Sequence, residues 1–185
     1  MWIIKFNQNR IIMKLTKFLQ VIEKLKPTRE ELNAKDIPLS AQDDWEIDVL
    51  DDEFFAYDGV YDQMVFCLDT IKLFPGFEQL RELDEDAPDP FIIWGYNEFY
   101  SFHYAYNYKT EEAVLLDDLK SPEPAIYCAA SGPKLLDCLA IVAQCFRERL
   151  LEPEKSEEQR EDWIMKATEA AGGEKYLFHC QILIG

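Results

Sequence analysis

The stretch from Phe99 to Tyr108 constrains the fold more than any other part of the chain, because aromatic and non-aromatic residues alternate along it. The residues that share one predicted face are Tyr100, Phe102, Tyr104, Tyr106 and Tyr108. Those on the other face are Ser101, His103, Ala105 and Asn107. Side chains of a strand point alternately to its two faces, so this pattern predicts a β-strand with one aromatic face.

Apolar segments on both sides predict that this strand belongs to an antiparallel meander. The four predicted strands are, in chain order, Phe91–Trp94, Phe99–Tyr108, Ala113–Leu116 and Ala125–Ala129. Connections rich in turn-forming residues, such as Gly95–Glu98 and Lys109–Glu112, separate them, and short connections favour hairpins. A further short strand is predicted at Met64–Leu68, followed by a helical turn that Asp69 caps and that runs to Phe74.

Helical periodicity dominates the N-terminal part of the chain. Apolar residues at spacings of three and four predict a helix over Lys14–Lys26, which Pro27 ends. The capping-box pattern Thr28–Glu31 predicts a short second helix, to about Ala34. Phe77–Leu83 also has a helical pattern.

The C-terminal part predicts two further helices and a strand. Ser131 is positioned to cap a helix whose apolar face runs over Leu135–Phe146. A second capping box at Ser156–Gln159 predicts a helix to Ala171, which Gly172-Gly173 ends. The apolar run Tyr176–Ile184 predicts a final strand.

Two interpretations fit the segment from Asp36 to Tyr57. Trp45, Ile47 and Val49 alternate as in a strand, whereas another set of apolar residues is spaced as on one face of a helix. That set is Ile47, Leu50, Phe54 and Tyr57. The early acidic residues and the following Gly59 favour the helix, which is the preferred interpretation.

This order of elements predicts an α+β fold in a single domain, with a central antiparallel sheet of about four to six strands flanked by helices. Residues 1–12, before Met13, are predicted to be a poorly ordered N-terminal extension. Residues 13–151 are predicted to form the domain. Residues 152–185 are predicted to add a helix–strand appendage to it.

The charge of the chain is unevenly distributed. The net charge is −17, yet residues 1–35 hold eight basic and three acidic residues, so the remainder carries −22. Between Lys35 and Lys72 there are eleven acidic residues and no basic one, and a second window from Glu82 to Tyr108 also lacks Lys and Arg. A solvated surface is one interpretation. A field that steers a basic protein partner is the other, and the absence of interspersed lysines favours it.

This charge also excludes classes of ligand. Binding of nucleic acid requires basic residues that neutralise phosphates, and an anionic membrane surface requires them too. No apolar run is long enough to span a membrane, and no signal-peptide pattern is present. The five cysteines lie among apolar residues without paired spacing, which predicts buried free thiols and a cytoplasmic location.

The sequence contains no motif for catalysis or cofactor binding, so it predicts a protein that is not an enzyme and has no cofactor or metal. The phosphate-binding, nucleophile-elbow and zinc-protease motifs are absent, and neither His103 nor His179 has a second ligand at motif spacing. The abundant carboxylates leave a carboxylate-dependent hydrolase as a weaker alternative.

The aromatic strand has two interpretations of its own: a sheet face packed under the Leu135–Phe146 helix, or an exposed binding surface. Aromatic residues also occur among the acidic ones. The predicted partner-binding residues are Trp45, Asp51, Asp52, Glu53, Tyr57, Asp58, Tyr61, Asp84, Glu85, Asp86, Tyr96 and Glu98.

Several segments, taken in order, carry a family resemblance. They are Ile37-Pro38, Tyr57-Asp58-Gly59, Met64–Leu68, Asp69–Leu73, Phe91–Gly95, the strand to Tyr108, Val114–Leu116, Ala125–Ala129, and Ser131 with the Leu135–Phe146 helix. Over residues 14–150 the chain resembles the SUKH superfamily, which includes fungal regulators of cell-wall glucan synthesis and many bacterial toxin-immunity proteins. The resemblance implies an α+β fold with a central antiparallel sheet, and a binding protein.

Together these observations favour an immunity-type inhibitor, part of a bacterial toxin–antitoxin pair, that binds a basic toxin or effector through an acidic, aromatic surface. The alternative is a regulatory adaptor or scaffold whose binding depends on apolar contacts more than on charge.

Overall fold

In the computed structural model, the described residues are 17–41, 47–50, 63–66, 71–73, 90–97, 102–117 and 123–185. The helices there are α1 (17–25), α2 (Arg29–Ala34), α3 (Gly132–Leu151), α4 (Pro153–Glu158), α5 (Arg160–Ala171) and α6 (Leu177–Ile184). The strands are β1 (Ile47–Leu50), β2 (Gln63–Phe66), β3 (Ile71–Leu73), β4 (Phe91–Asn97), β5 (Phe102–Asn107), β6 (Ala113–Leu116) and β7 (Ile126–Ala129). Helices and antiparallel strands together confirm the α+β class.

The strands β3 to β7 form a five-stranded antiparallel sheet in which neighbours in space are neighbours in sequence. Tyr104 in β5 lies opposite Gly95 in β4 and Leu115 in β6, which sets the register of the sheet. β1 and β2 form a separate two-stranded antiparallel ladder. The meander predicted from β4 to β7 is therefore present.

The predicted turn at Gly95–Glu98 is wrong, because Gly95, Tyr96 and Asn97 continue β4. Ile93 pairs with Ala105 and Gly95 pairs with Tyr104, so Trp94 is an extra residue in the ladder. Such a bulge bends a strand without ending it, and glycine is common at these positions. The glycine that suggested a turn instead marks this irregularity.

One face of the sheet packs against the helices and forms the main core. Tyr104, Leu115 and Cys128 on the sheet share this core with Leu139 and Val142 of α3. The aromatic residues that pack against it while remaining partly exposed are Phe102, Tyr106 and Tyr108. This arrangement supports the interpretation of the aromatic strand as a face packed under a helix.

The opposite face of the sheet has its own, smaller buried cluster. It consists of Phe91, Ala105, Val114 and Leu116. All four residues of β6 are therefore buried, two toward each face. A strand that is buried on both faces typically has a continuous apolar sequence, as β6 does.

Residues 152–185 contribute to the main core through α5 and α6. Trp163 and Ala167 of α5 are buried there, together with Ile184 of α6. The predicted strand at Tyr176–Ile184 is wrong: a 3-10 turn at Glu174–Tyr176 leads into helix α6. Tyr176, Cys180 and Ile184 are all buried at a spacing of four, which is a helical period. A short apolar run does not by itself distinguish a buried helix from a strand.

The helix predicted to begin at Ser156 begins earlier and is interrupted. Pro153 opens α4, and Gln159 separates it from α5 without a side-chain cap. Proline has no backbone N–H and a φ that suits a helix, so it starts helices readily. Gly172 ends α5 as predicted, with a φ of 120° that favours glycine.

Two predicted helical segments contain strands instead. The helix preferred for Asp36–Tyr57 is wrong at Ile47–Leu50, because these residues form β1 and pair with β2. The helical turn predicted after Asp69 is wrong at Ile71–Leu73, because these residues form β3 and pair with β4. In both cases the hydrogen-bonding partner is a strand beyond the local window. The helix predicted at Phe77–Leu83 and the extension predicted at residues 1–12 lie outside the described residues.

The N-terminal helices follow the prediction closely. Phe18 and Ile22 of α1 are buried, and α1 ends before Pro27. Thr28 caps α2 in a reciprocal capping box, in which its hydroxyl accepts from the Glu31 N–H and the Glu31 carboxylate accepts from the Thr28 N–H. Lys35 and Asp36 then turn the chain, and the N–H of Ile37 donates to the Leu32 carbonyl at 3.0 Å.

Candidate functional site

An open cleft lies where the turn after α2 meets the junction of α3 and α4. Its volume is about 600 Å³. The residues that line it are Lys35, Ile37, Leu150, Leu151, Glu152, Pro153, Glu154 and Glu158. Because α3 ends at Leu151 and Pro153 immediately starts α4, the chain bends sharply and leaves two leucines half-buried beside Ile37. The cleft therefore has an apolar floor.

The rim of this cleft is acidic. Glu152, Glu154 and Glu158 are exposed on the α3–α4 side, and Lys35 is the one cation among the lining residues. Leu39, two residues beyond Ile37, exposes 45% of its surface and adds an apolar side chain to the same segment. Lysine and arginine carry a charged head on an apolar stem, so an apolar floor with a carboxylate rim complements such side chains.

A polar contact between helices holds the two sides of the cleft together. Arg147 of α3 forms an ion pair with Glu31 of α2 and donates to the backbone carbonyl of Leu25 at 3.0 Å. The hydrogen bond from the Thr28 backbone and the contact with Arg147 lower the pKa of Glu31, although its slight burial acts to raise the pKa. The α1–α2 pair is thus attached to α3 about one turn before the cleft begins.

A buried hydrogen bond connects the sheet to the C-terminal helix. The Tyr104 hydroxyl lies 3.0 Å from Nε2 of His179, and the two rings meet edge to face. Burial lowers the pKa of His179 to about 4, and a hydrogen bond to the Cys128 backbone opposes this only in part. The imidazole is therefore neutral, and it shares one hydrogen bond with the Tyr104 hydroxyl through Nε2.

Three buried thiols lie close to one another in the main core. The Sγ atoms of Cys138 in α3 and Cys180 in α6 are 3.7 Å apart, and Cys128 in β7 is close enough to interact with both electrostatically. All three cysteines are free, as the sequence predicts. Burial raises the pKa of Cys128 well above its usual value.

A third polar group joins the hairpin between β5 and β6 to the turn before α6. Lys175 forms an ion pair with Glu112 and lies 4.0 Å above the Tyr127 ring, and the Tyr176 hydroxyl donates to Glu112 at 2.9 Å. Burial acts to raise the pKa of Glu112, but the bonds from Lys175 and Tyr176 lower it overall. Burial and the bond to Glu112 raise the pKa of Tyr176 to about 12.

Of these arrangements, only the cleft is open to a ligand. His179, Cys138 and Cys180 lie in the core without solvent exposure, so none of them lines a surface that a partner protein could contact. Across the described part of the chain, no group of three His, Cys, Asp or Glu residues is arranged to hold a metal ion. No helix within those same ranges is long and apolar enough to cross a membrane.

The predicted partner-binding residues fall almost entirely outside the described residues. Tyr96 is the exception: its backbone lies in β4, opposite Lys72 and His103. The others are Trp45, Asp51, Asp52, Glu53, Tyr57, Asp58, Tyr61, Asp84, Glu85, Asp86 and Glu98.

The glutamates of the cleft rim are not among the residues that the sequence predicts to bind a partner. Glu152, Glu154 and Glu158 belong to a segment rich in charged residues. The available signal was Pro153, which follows directly after a long amphipathic helix and so indicates a sharp bend.

Comparison with known proteins identifies no relatives of this chain: no family model, no curated protein and no solved structure matches it.

Proposed function

We propose that this chain is a non-enzymatic protein-binding domain, an immunity-type inhibitor that occupies a basic surface of a toxin or effector protein. The observation that carries the proposal is the cleft between α2 and the α3–α4 junction, with its apolar floor and its three rim glutamates. A lysine or arginine side chain of a partner would place its stem against Ile37 and Leu150 and its charge among the carboxylates.

The charge of the whole chain supports the same partner. A net charge of −17, with −22 beyond residue 35, creates a field that accelerates association with a basic protein and repels nucleic acid. Both effects suit an inhibitor. It associates quickly with the basic toxin, and it does not itself bind an anionic substrate of the toxin.

The resemblance to the SUKH superfamily supports this class of function, and we propose that the chain has that fold in a single domain. The acidic windows that hold Asp51–Glu53 and Asp84–Asp86 would then also contribute to binding. Buried free thiols at Cys128, Cys138, Cys145 and Cys180 suit a reducing compartment, so we place the protein in the cytoplasm.

The first test uses the genes next to that of this chain. We expect one of them to encode a basic toxin, and we expect the purified toxin to bind this chain tightly at low salt and more weakly at high salt in calorimetry. If no neighbouring gene encodes a basic protein, or if that protein does not bind at low salt, the proposal is wrong.

The second test separates the cleft from the general charge. A triple variant with Glu152→Lys, Glu154→Lys and Glu158→Lys should weaken toxin binding by about tenfold or more, which corresponds to about 1.4 kcal/mol. The matched control reverses three exposed glutamates outside the cleft, by Glu161→Lys, Glu169→Lys and Glu174→Lys.

We expect this control to change the affinity no more than about threefold, since distant exposed charges are screened by salt. Equal losses in both variants would contradict a specific role for the cleft. Unchanged binding in both would instead favour an adaptor that relies on apolar contacts.

A further inference from the structure

The contact between Cys138 and Cys180 joins two helices that are distant in the sequence. The residues are 42 positions apart, their Sγ atoms are separated by 3.7 Å, and neither side chain is exposed to solvent. A disulfide requires an S–S distance of about 2.05 Å, so the sulfur atoms must approach by less than 2 Å, a shift of the size that side-chain rotation produces.

We propose that Cys138 and Cys180 form a redox-active pair, which a small two-electron oxidant such as hydrogen peroxide converts to a disulfide within the folded protein. The inference rests on the geometry of the core and is independent of the proposed function. Cys138 and Cys180 are then a site of oxidative modification, whereas composition alone would assign these two thiols only to packing in the core.

The surroundings of Cys180 favour it as the attacking thiol. The hydrogen bond with Cys138 lowers the pKa of Cys180; burial opposes this effect, and the Thr168 side chain adds to it. For Cys138 the same hydrogen bond and burial raise the pKa well above its usual value. The thiolate is the reactive form of cysteine, so the two thiols have different roles.

The reaction balances in two steps. The Cys180 thiolate attacks one oxygen of the peroxide, the O–O bond breaks, and the other oxygen leaves as water after it takes up a proton, which leaves a sulfenic acid. Cys138 then attacks the sulfur of that sulfenic acid, the S–O bond breaks, and a second water leaves. The two thiols lose two electrons in total, and the peroxide gains them.

The bond would fasten the C-terminal helix to the centre of the molecule. It would close a loop of 42 residues that contains α4, α5 and the turn before α6. Closing a loop of this size restricts the unfolded chain, so the oxidised protein should unfold at a temperature about 5–10 °C higher than the reduced one.

The test treats the native full-length chain with hydrogen peroxide well below its unfolding temperature, and then maps the peptides under non-reducing conditions. We expect a mass loss of about 2 Da and one main cross-linked product, which joins the peptides of Cys138 and Cys180. A reducing agent should restore both the original mass and the original unfolding temperature.

Variants then identify the two positions. Cys138→Ser and Cys180→Ser should each abolish the cross-link, whereas Cys145→Ser, which changes another buried thiol on α3, should retain it. The proposal is overturned if peroxide leaves the native wild-type mass unchanged, if the main cross-link involves a different pair, or if the cross-link forms only in denaturant. The peptide map of the oxidised wild-type protein identifies the cross-linked pair directly, so the proposal can be tested even if a variant fails to fold.

Discussion

His179 is fully buried, and its neutral imidazole is hydrogen-bonded to a tyrosine in the core. The Tyr104 hydroxyl satisfies Nε2 at 3.0 Å, and burial lowers the pKa of His179 to about 4. A neutral histidine paired with a tyrosine satisfies two polar groups that would otherwise be buried at a cost of about 1–3 kcal/mol each.

This burial predicts how stability depends on pH. In the unfolded chain His179 takes up a proton near pH 6.5, whereas in the folded protein it stays neutral until about pH 4. The folded protein should therefore lose up to about 3 kcal/mol from this residue as the pH falls from 6.5 to 4, with no effect above that range.

Histidine NMR signals provide the direct measurement. We expect the imidazole resonances of His179 to remain constant from pH 8 to about pH 5 in the folded protein. A midpoint near the ordinary histidine value would show that the side chain reaches solvent, which would contradict the buried pair.

Gly172 and Gly173 allow a second prediction at the scale of single residues. Both have positive φ, at 120° and 115°, but a Cβ on Gly172 would lie 2.7 Å from the Ala130 Cβ, whereas a Cβ on Gly173 would meet nothing within 4 Å. Gly173→Ala should cost about 1–3 kcal/mol in backbone strain. Gly172→Ala should cost about 1–3 kcal/mol more because of the clash.

Urea unfolding of the two variants tests the difference, since the shared backbone strain largely cancels between them. Equal free energies of unfolding would mean that Ala130 moves aside freely and that the end of α5 is less tightly packed than its geometry indicates.

At the scale of elements, the α1–α2 pair is attached to α3 by a small number of polar contacts. Arg147 pairs with Glu31 and donates to the Leu25 carbonyl, while Phe18 and Ile22 supply the apolar contact. The Arg147 side chain is 22% exposed and that of Glu31 is 38% exposed, so solvent screens this ion pair in part.

We therefore expect the carbonyl contact to matter more than the ion pair. Arg147→Ala should reduce the free energy of unfolding by about 1–3 kcal/mol. The coupling energy between Arg147→Ala and Glu31→Gln, measured in a double-mutant cycle, should be below about 1 kcal/mol. A coupling energy close to the whole effect of Arg147→Ala would assign the attachment to the ion pair instead.

The elements that could be predicted are those whose signals are local. Thr28 and Glu31 form their capping box within a single turn, and Ser131 caps α3 by accepting from the Lys134 N–H. The apolar run at Tyr176–Ile184 was assigned to the wrong element, because its residues suit a strand as well as a buried helix. Its helical form depends on the surfaces of α5 and β7, against which α6 packs.

At the scale of the whole molecule, the excess of carboxylates is expected to oppose folding. A net charge of −17 on 185 residues repels itself more strongly in the compact state than in the extended one. Salt at about 0.15 M reduces the Debye length to about 8 Å and so weakens this repulsion.

Added salt should consequently raise the unfolding temperature, by about 2–4 °C for each kcal/mol of repulsion that is relieved. Thermal unfolding in potassium chloride measures the effect, and choline chloride at the same ionic strength is the control that separates screening from cation binding. A constant or falling unfolding temperature would mean that the acidic residues are already spread far apart or paired with cations of the chain.

By itself the sequence determined the α+β class, the meander from β4 to β7, the caps of α2 and α3, and the acidic character of the chain. These properties follow from composition and from interactions within a few residues. Only the tertiary structure decided that α6 is a helix, that Gly95 continues a strand, and that Cys138 meets Cys180. It also decided that three glutamates rim an apolar cleft at the end of α3. Each of these outcomes depends on groups far apart in sequence, which hydrogen bonds and packing bring together only in the folded chain.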